Sequence, residues 1–191
     1  MSVRASVTSL ATTLAVVIAG VAPAQATELS YDYAELRFVD TEIGNLDGDG
    51  LRLAGSYQIS GNWLLVGGFS SLDFDNNVDS TTFDIGAGYV YRYRPEFDLV
   101  GYARVVHTEV DAGPFEEDDT GIALAGGVRG LFTPAFEGRA TVNYINVDDS
   151  DTFFEFGADY HFNPQFSAGA TLDVGGDADS LTIGVRWFFG N

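Results

Sequence analysis

Ten segments of the chain alternate between apolar and polar side chains with a period of two, and this alternation limits the possible folds more than any other feature. One such segment runs from Leu51 to Ile59, with Leu53 and Tyr57 in the apolar parity and Arg52 in the polar parity. In all ten segments the apolar parity is free of formally charged residues. Because successive side chains of a strand point to opposite faces, each segment has one apolar and one charged face.

Two architectures produce strands of this kind, and they differ in the direction of the apolar face. A soluble sandwich buries that face, whereas a transmembrane barrel exposes it to lipid and keeps the charged face in its lumen. The segments have about the 9 to 11 residues that a tilted strand needs to cross a bilayer, and an open sheet edge in lipid would leave backbone groups unpaired. We therefore predict an all-β protein, a closed antiparallel transmembrane barrel with ten strands, or eight as the alternative.

The connections between the segments favour the membrane barrel, because short and long ones alternate as in outer-membrane barrels. The short connections are predicted at residues 60–62, 94–96, 133–135 and 163–165. Longer acidic loops are predicted at residues 40–50, 73–80, 109–119, 146–151 and 175–180. Aromatic residues of the apolar parity cluster beside the short turns, where they would form a belt at the membrane interface. Examples are Tyr57, Trp63, Tyr93, Phe132, Phe136 and Trp187.

The first 26 residues have the features of a secretory signal peptide. Arg4 supplies the positive end, residues 14–21 (LAVVIAGV) supply a short apolar run, and Ala24-Gln25-Ala26 supplies a cleavage site. We expect cleavage after Ala26, so that residues 27–191 form the mature barrel domain. An even number of strands then returns both termini to the periplasm of a bacterium.

Two further motifs add a resemblance to this pattern. The opening at residues 31–35 (YDYAE), the DGDG run at residues 47–50 and the closing segment at residues 181–189 (LTIGVRWFF) resemble small outer-membrane barrels. These are the group of OmpX, the OmpA membrane domain and the opacity-type or "porin family" barrels. The resemblance implies a place in the bacterial outer membrane, contact with its lipid and lipopolysaccharide, and a monomeric state. It also implies that the barrel-insertion machinery reads the final strand through Leu181, Ile183, Val185, Trp187 and Phe189.

Charge and composition exclude several functions. The chain has 28 acidic residues, nine arginines and no lysine, and its net charge of -19 makes nucleic acid an unsuitable partner. The absence of cysteine excludes thiol catalysis and zinc-thiolate sites. His107 and His161 are the two histidines, and neither stands in a recognisable nucleophile motif, so we predict that the protein is not an enzyme.

The charged parity predicts a network of paired charges in the lumen, because an unpaired buried charge is costly. Inward glycines, among them Gly157 and Gly184, would leave room for the guanidinium groups. Arg139 and Glu137 lie two residues apart on one inward face and are expected to be partners. The predicted network comprises Glu35, Arg37, Arg52, Asp84, Arg92, Arg104, Arg129, Glu137, Arg139, Glu155, Asp159 and Arg186. The same residues would instead line a narrow pore if the lumen were open.

The remaining acidic residues predict an acidic outer surface. Eighteen carboxylates fall in the five outer connections, which contain no arginine. Oxygen ligands at Asp47, Asp49, Asp118 and Asp119 are weak candidates for loosely bound Ca²⁺ or Mg²⁺, although the far glutamate of an EF-hand loop is missing. No other cofactor is expected.

Two functions fit these features. The leading prediction is an integral outer-membrane protein with a structural or surface-interaction role, such as envelope integrity or adhesion, with a filled lumen and an acidic outer face that meets an extracellular ligand. The alternative is a small, weakly cation-selective channel. Its pore would be narrow, since ten strands are close to the eight whose interior side chains just fill a barrel.

Overall fold

The computed structural model describes residues 29–44 and 46–189, which contain ten β-strands. The predicted signal peptide, the cleavage after Ala26 and the last two residues lie outside this part. The strands are β1 (Tyr33–Ile43), β2 (Leu46–Ser60), β3 (Trp63–Phe74), β4 (Val78–Arg94), β5 (Phe97–Ala112), β6 (Phe115–Thr133), β7 (Phe136–Val147), β8 (Asp149–Asn163), β9 (Phe166–Val174) and β10 (Ala178–Phe188). Among the described residues, no helix is long and apolar enough to cross a membrane.

The ten strands form one closed antiparallel barrel in which each strand pairs with its neighbours along the chain. The barrel closes where β10 pairs with β1, from Tyr33 opposite Phe188 to Ile43 opposite Ala178. No edge is left without a hydrogen-bonding partner strand, as a bilayer requires. The prediction of an all-β, ten-stranded closed barrel is confirmed.

The barrel has two ends with different turn chemistry. At one end, here called the periplasmic end, four two-residue turns follow β2, β4, β6 and β8, and three of them contain proline, such as Pro95. Each of these hairpins has a register irregularity beside its turn. At the opposite end, here called the outer end, five hairpins follow the odd-numbered strands. Asn76, Asn77 and Asp148 adopt positive φ there, a conformation that asparagine and aspartate tolerate better than most residues.

The outer hairpins differ from the predicted long loops. The strands continue through most of the acidic segments, so the connections contain only one to three residues, for example Gly113 and Pro114 between β5 and β6. The acidic residues do lie at the outer end, but most of them stand on strands. The physical reason is that acidic residues still alternate with apolar ones such as Val110, Phe115 and Val147. These segments therefore continue to pair as β-strands beyond the apolar band.

The two faces of the wall follow the two parities of the sequence. Large apolar side chains of the uncharged parity are exposed on the outside of the barrel, and Leu51 and Val185 are two examples. An exposed apolar surface of this extent requires a membrane or a partner. Aromatic residues gather beside the periplasmic turns and touch edge to face, as Trp63 and Tyr89 do at 5.1 Å between ring centroids. The predicted aromatic belt is therefore present on the outside of the periplasmic end.

Residues 29–32, which precede β1, turn into the periplasmic end of the lumen instead of continuing the wall. Leu29 and Tyr31 are buried there against inward apolar side chains of β3 to β6. These side chains are Leu64, Val66, Val90, Val100, Tyr102 and Leu131. The segment thus caps a small apolar core inside an otherwise polar lumen.

Candidate functional site

The periplasmic half of the lumen holds a dense cluster of ion pairs, which we call the balanced cluster. Four arginines meet four carboxylates there, so that the formal charges cancel. Its members are Arg37, Arg129, Arg139, Arg186, Glu35, Glu137, Glu155 and Asp159. All eight belong to the network predicted from the sequence. They lie on β1, β6, β7, β8 and β10, which the closure of the barrel brings to one side of the lumen.

Glu137 is the most enclosed acid of the balanced cluster, with 1% of its surface exposed. Arg129 binds it through two parallel hydrogen bonds, Nε to Oε1 at 2.7 Å and Nη2 to Oε2 at 2.9 Å. Arg186 donates from Nη1 to the same Oε1 at 3.1 Å. Two-point contacts of this kind hold an arginine in one orientation. Glu137 is therefore enclosed between two arginines.

Arg139 does not bind Glu137, contrary to the sequence-based pairing. It donates to Glu155 at 2.9 Å and to Asp159 at 2.6 Å, both on β8. The register places Gly157 opposite Arg139, so that Glu155 and Asp159 flank it on the neighbouring strand, while Glu137 is already bound by Arg129 and Arg186. Gly157 lies beneath the guanidinium, where an added Cβ would meet Arg139 atoms at 2.6 to 2.9 Å. This agrees with the prediction that inward glycines leave room for arginine.

Two aromatic side chains that lie beside the balanced cluster were not predicted from the sequence. His161 is buried, with Nε2 3.2 Å from Glu137 Oε2, and it stacks on Phe188 at 5.3 Å between ring centroids. Phe188 is one of the largest fully buried side chains. Both residues stand in the inward parity of their strands, and that parity could have identified them.

The N-terminal segment is tied to this cluster by polar contacts. The Tyr31 hydroxyl donates to Asp98 Oδ2 at 2.8 Å, and Arg129 donates to the Ser30 carbonyl oxygen at 2.9 Å. The Arg129 guanidinium also lies 4.6 Å from the centroid of the Tyr31 ring. Burial raises the pKa of the Tyr31 hydroxyl well above its usual value. No pattern in the sequence indicated these contacts.

A second, smaller group of charges lies nearer the middle of the lumen, and we call it the arginine triad. Asp84 on β4 accepts a hydrogen bond from Arg52 of β2 at 3.0 Å and one from Arg104 of β5 at 3.2 Å. One carboxylate therefore faces two guanidinium groups, and the triad has a formal charge of +1. Two cavities of about 150 Å³ and 250 Å³ both reach these three side chains.

Arg92 is the one residue of the predicted network that the fold places elsewhere. It is exposed near the periplasmic end of β4, as is Arg94. Neither takes part in the ion pairs found among residues 29–44 and 46–189. The parity of Arg92 is inward, but the strand has by then passed the end of the lumen, where water solvates the guanidinium.

At the outer end, the register lines up carboxylates on the outside of the barrel. A continuous row crosses six adjacent strands, with each acid directly opposite the next. The row consists of Asp40, Asp49, Asp73, Asp79, Asp111 and Glu116. All six stand in the outward parity, just beyond the exposed apolar band. Like charges directly opposite one another destabilise a sheet, so the row has an electrostatic cost that a cationic partner would relieve.

The predicted metal candidates are not brought together. Asp47 and Asp49 stand on β2, whereas Asp118 and Asp119 stand on β6. Within the described part of the chain, no three histidine, aspartate or glutamate side chains are placed to share one ion.

His107 lies on the exposed outer face, between a hydroxyl and a carboxylate. Its Nδ1 is 2.9 Å from Thr120 Oγ1, and its Nε2 is 3.4 Å from Glu109 Oε1. A nucleophile needs a concave pocket that holds a substrate and excludes water. His107 stands on the outward face of β5 and does not line the two cavities of the lumen, so we assign it no catalytic role.

Comparison with known families agrees with this geometry. Residues 11–162 match the family described as outer membrane protein beta-barrel domain. The chain belongs to this family. As an outer-membrane β-barrel, it has its place in the bacterial outer membrane, with the exposed apolar band facing lipid and the balanced cluster inside. Among functionally curated proteins, none matches the chain.

Several solved outer-membrane barrels are similar in structure. The KdgM porin has 12% identity, with 81% of this chain and 99% of that chain covered and a TM-score of 0.47. Neisserial surface protein A (NspA) has 15% identity, with 84% and 98% covered and a TM-score of 0.45. Ail, the attachment invasion locus protein of Yersinia pestis, has 15% identity, with 83% and 99% covered and a TM-score of 0.39. At these values the similarity carries no argument about ligand or role.

Proposed function

We propose that this outer-membrane β-barrel has a structural or surface-interaction role, and that it is neither an enzyme nor an open diffusion pore. The observation that carries the proposal is the filled periplasmic half of the lumen. Glu137, Asp159 and Phe188 are each exposed by 2% or less. Tyr31 packs on the apolar side chains of the neighbouring strands at the same end of the lumen.

Breaking the balanced cluster to open a water path is costly. Removing one partner of a buried ion pair costs about 3 to 5 kcal/mol, because the other charge is left unpaired. Arg129 and Arg186 would each have to leave Glu137 before ions could pass at that level. Thermal motion alone therefore rarely opens the lumen, which supports a protein that acts through its surface.

The acidic row at the outer end is the surface that we assign to this role. Carboxylates on six neighbouring strands produce a negative potential that attracts cations. Because the row faces outward at the upper border of the apolar band, its neighbours would be lipopolysaccharide headgroups. We propose that Ca²⁺ or Mg²⁺, loosely held by the row as a whole, links the two, and that a basic extracellular ligand competes for the same surface.

Assembly follows from the same architecture. We propose that the outward residues of β10, ending in Trp187 and Phe189, serve as the signal for the insertion machinery, since β10 must meet β1 for closure. We also propose that the barrel acts as a monomer, because all ten strands that close the wall come from one chain.

Single-channel recording of refolded protein in planar bilayers tests the filled lumen. We expect conductance near background for residues 27–191, and a measurable conductance after deletion of residues 27–32, which removes the segment that contains Tyr31. Arg94→Ala is the matched control, because this exposed arginine lies near the same end outside the cluster. A steady open conductance of the intact chain would contradict the proposal.

The surface role has its own test, which compares the acidic row with the lumen. In vesicles that contain lipopolysaccharide, Mg²⁺ should raise the unfolding midpoint of the intact barrel. The double change Asp73→Asn and Asp79→Asn should reduce that gain, whereas the lumenal change Asp84→Asn should preserve it. An equal gain in all three proteins would show that the row is not the contact surface.

A narrow channel is the second candidate, and the two cavities favour it. They share Arg52, Asp84 and Arg104, and the smaller one also reaches Arg129 and Arg186 of the balanced cluster. The negative outer row would concentrate cations at the mouth, while the arginine triad would oppose them, so the expected selectivity is weakly cationic. A conductance with this selectivity in the intact chain would favour the channel over the structural or surface-interaction role.

A further inference from the structure

The arginine triad carries more positive charge than its own carboxylate neutralises. In the balanced cluster, four arginines face four carboxylates, but Arg52 and Arg104 share Asp84 alone. Both guanidinium groups remain partly open, with 30% and 24% of their side-chain surface exposed, whereas Asp84 is 5% exposed. The unneutralised charge therefore lies on the two arginines, at the wall of the cavities.

The hydrogen-bonding capacity of these two arginines is also unused. A guanidinium has five N–H donors. Arg52 donates through Nη2 and Arg104 through Nη1, each to one oxygen of Asp84. Arg104 Nε is buried and has no partner within the described part of the chain. Across the lumen, by contrast, Arg139 donates through three nitrogens to Glu155, Asp159 and Thr171.

The backbone beneath the triad is shaped to receive it. An added Cβ at Gly68 would lie 2.6 Å from Asp84 Oδ2 and 2.8 Å from Arg52 Nη2. Glycine at this position therefore leaves room for the Arg52–Asp84 pair beside β3. Arg52 and Arg104 line the outer cavity together with Asp84.

That space is large enough for a small molecule. The outer cavity has a volume of about 250 Å³, and the hydroxyl groups of Ser70, Thr82 and Thr182 contribute to its lining beside the two arginines. The carboxylates of Glu155 and Asp173 line the same cavity, so that a ligand at Arg52 and Arg104 has to lie on their side of it. A cavity of this size does not accommodate a polymer, and the acidic row above it repels molecules of high negative charge. A small ligand with one negative charge satisfies both conditions.

We propose that Arg52 and Arg104 form a binding site for a small, singly charged oxyanion, such as a carboxylate or a phosphate monoester group, in the outer cavity. The oxyanion accepts hydrogen bonds from the free N–H groups of both arginines and cancels the surplus charge of the triad. Asp84 positions the two guanidinium groups and competes with the ligand for them. The site goes beyond the structural role proposed above and does not depend on whether the lumen conducts.

Side-chain NMR of refolded protein with ¹⁵N-labelled arginine tests the site directly. Acetate is titrated in place of chloride at constant ionic strength, and inorganic phosphate is used as a second probe. We expect the Nε–H signals of Arg52 and Arg104 to shift together and to saturate with one Kd, while those of Arg129 and Arg186 stay constant. The tighter of the two probes identifies the class of oxyanion. Linear shifts without saturation in both titrations would overturn the proposal.

Three variants sharpen the test. Arg52→Gln and Arg104→Gln should each weaken binding at least tenfold, and Arg92→Gln, an equal charge change at an exposed position, should leave the Kd unchanged. Asp84→Asn should tighten binding several-fold, because it removes the competing carboxylate and keeps the shape of the side chain. Equal effects of Arg92→Gln and Arg104→Gln, or no gain in Asp84→Asn, would show that general screening and not a site produces the shifts. The signals of the unmodified chain decide the question if a variant does not refold.

Discussion

The two halves of the lumen are built from the same residue types but solve different problems. In the periplasmic half, Glu137 and its neighbours are paired in equal numbers and buried almost completely. In the outer half, Asp84 stands between two partly open arginines beside a cavity. The comparison shows that lumenal charges differ in how far they are buried and in whether opposite charges occur in equal numbers. Where opposite charges balance and are buried we propose a seal, and where one sign is in excess beside a space we propose a site.

The difference between the halves originates in the strands that supply the charges. The balanced cluster draws on strands on both sides of the β1–β10 closure, and the segment before β1 covers it at the periplasmic end. The triad draws on β2, β4 and β5, where the facing positions include Gly68 and Gly86. Inward glycines occur in both halves, Gly157 under Arg139 and Gly68 under the Arg52–Asp84 pair, so the difference lies in the number of carboxylates that meet the arginines.

The largest expected effect comes from breaking the seal. Glu137→Ala leaves Arg129 and Arg186 without a carboxylate to which both donate, and should lower the free energy of unfolding by about 3 to 5 kcal/mol. The measurement is urea unfolding of refolded protein, followed by heat-modifiable migration on denaturing gels. Arg92→Ala, at an exposed position, is the control. A loss below about 1 kcal/mol would mean that water reaches the periplasmic half.

The next largest loss of stability is expected in the barrel wall that both halves share. Neighbouring residues of the wall point to opposite faces and can therefore be compared directly. Val128 faces outward, and Arg129 faces the lumen. Val128→Arg should cost about 2 to 4 kcal/mol if the position lies near the bilayer midplane, and Ala87→Arg should behave in the same way. Thr141→Ser, an inward change, should cost far less. The check is unfolding in vesicles, where equal costs for all three would disprove the assignment of the faces.

A smaller effect is expected from the cap on the periplasmic half. Tyr31→Phe keeps the ring against Arg129 and removes the hydroxyl that donates to buried Asp98, at a cost of about 1 to 3 kcal/mol. Tyr57→Phe on the exposed outer face is the matched control and should change little. Unfolding midpoints and conductance should be measured on the same samples. Identical midpoints for both variants would show that residues 29–32 do not seal the lumen.

The smallest effect is expected in the outer half. Asp84→Asn removes the one carboxylate of the triad, but Arg52 and Arg104 border a cavity that water can enter, so the loss in unfolding free energy should stay within about 1 kcal/mol. The same urea experiment as for Glu137→Ala makes the comparison direct. If Asp84→Asn were as damaging as Glu137→Ala, the two halves would not differ in solvation, and the distinction between seal and site would fail.

Much of the lumen could be read from parity. Period two placed eight members of the balanced cluster and all three members of the triad on the inward side, and the same rule would have added His161 and Phe188. The rule failed at Arg92, because parity gives the direction of a side chain and not its height relative to the barrel end. It also failed for the acidic loops, since continuation of a ladder into water depends on pairing with the neighbouring strand.

The amino-acid sequence by itself determined the strands and their two faces, because the period of two and the absence of charge in one parity are local properties. The alternating connections and the aromatic belt then favoured lipid over a buried core, and lipid requires a closed barrel. Tertiary structure decided which charges meet. Arg139 binds acids of β8 and not Glu137, the carboxylates at the outer end form one row, and residues 29–32 enter the lumen. Each of these depends on the relative shift of ten strands around a closed circle. That shift is set by all pairs together and is not contained in any one segment.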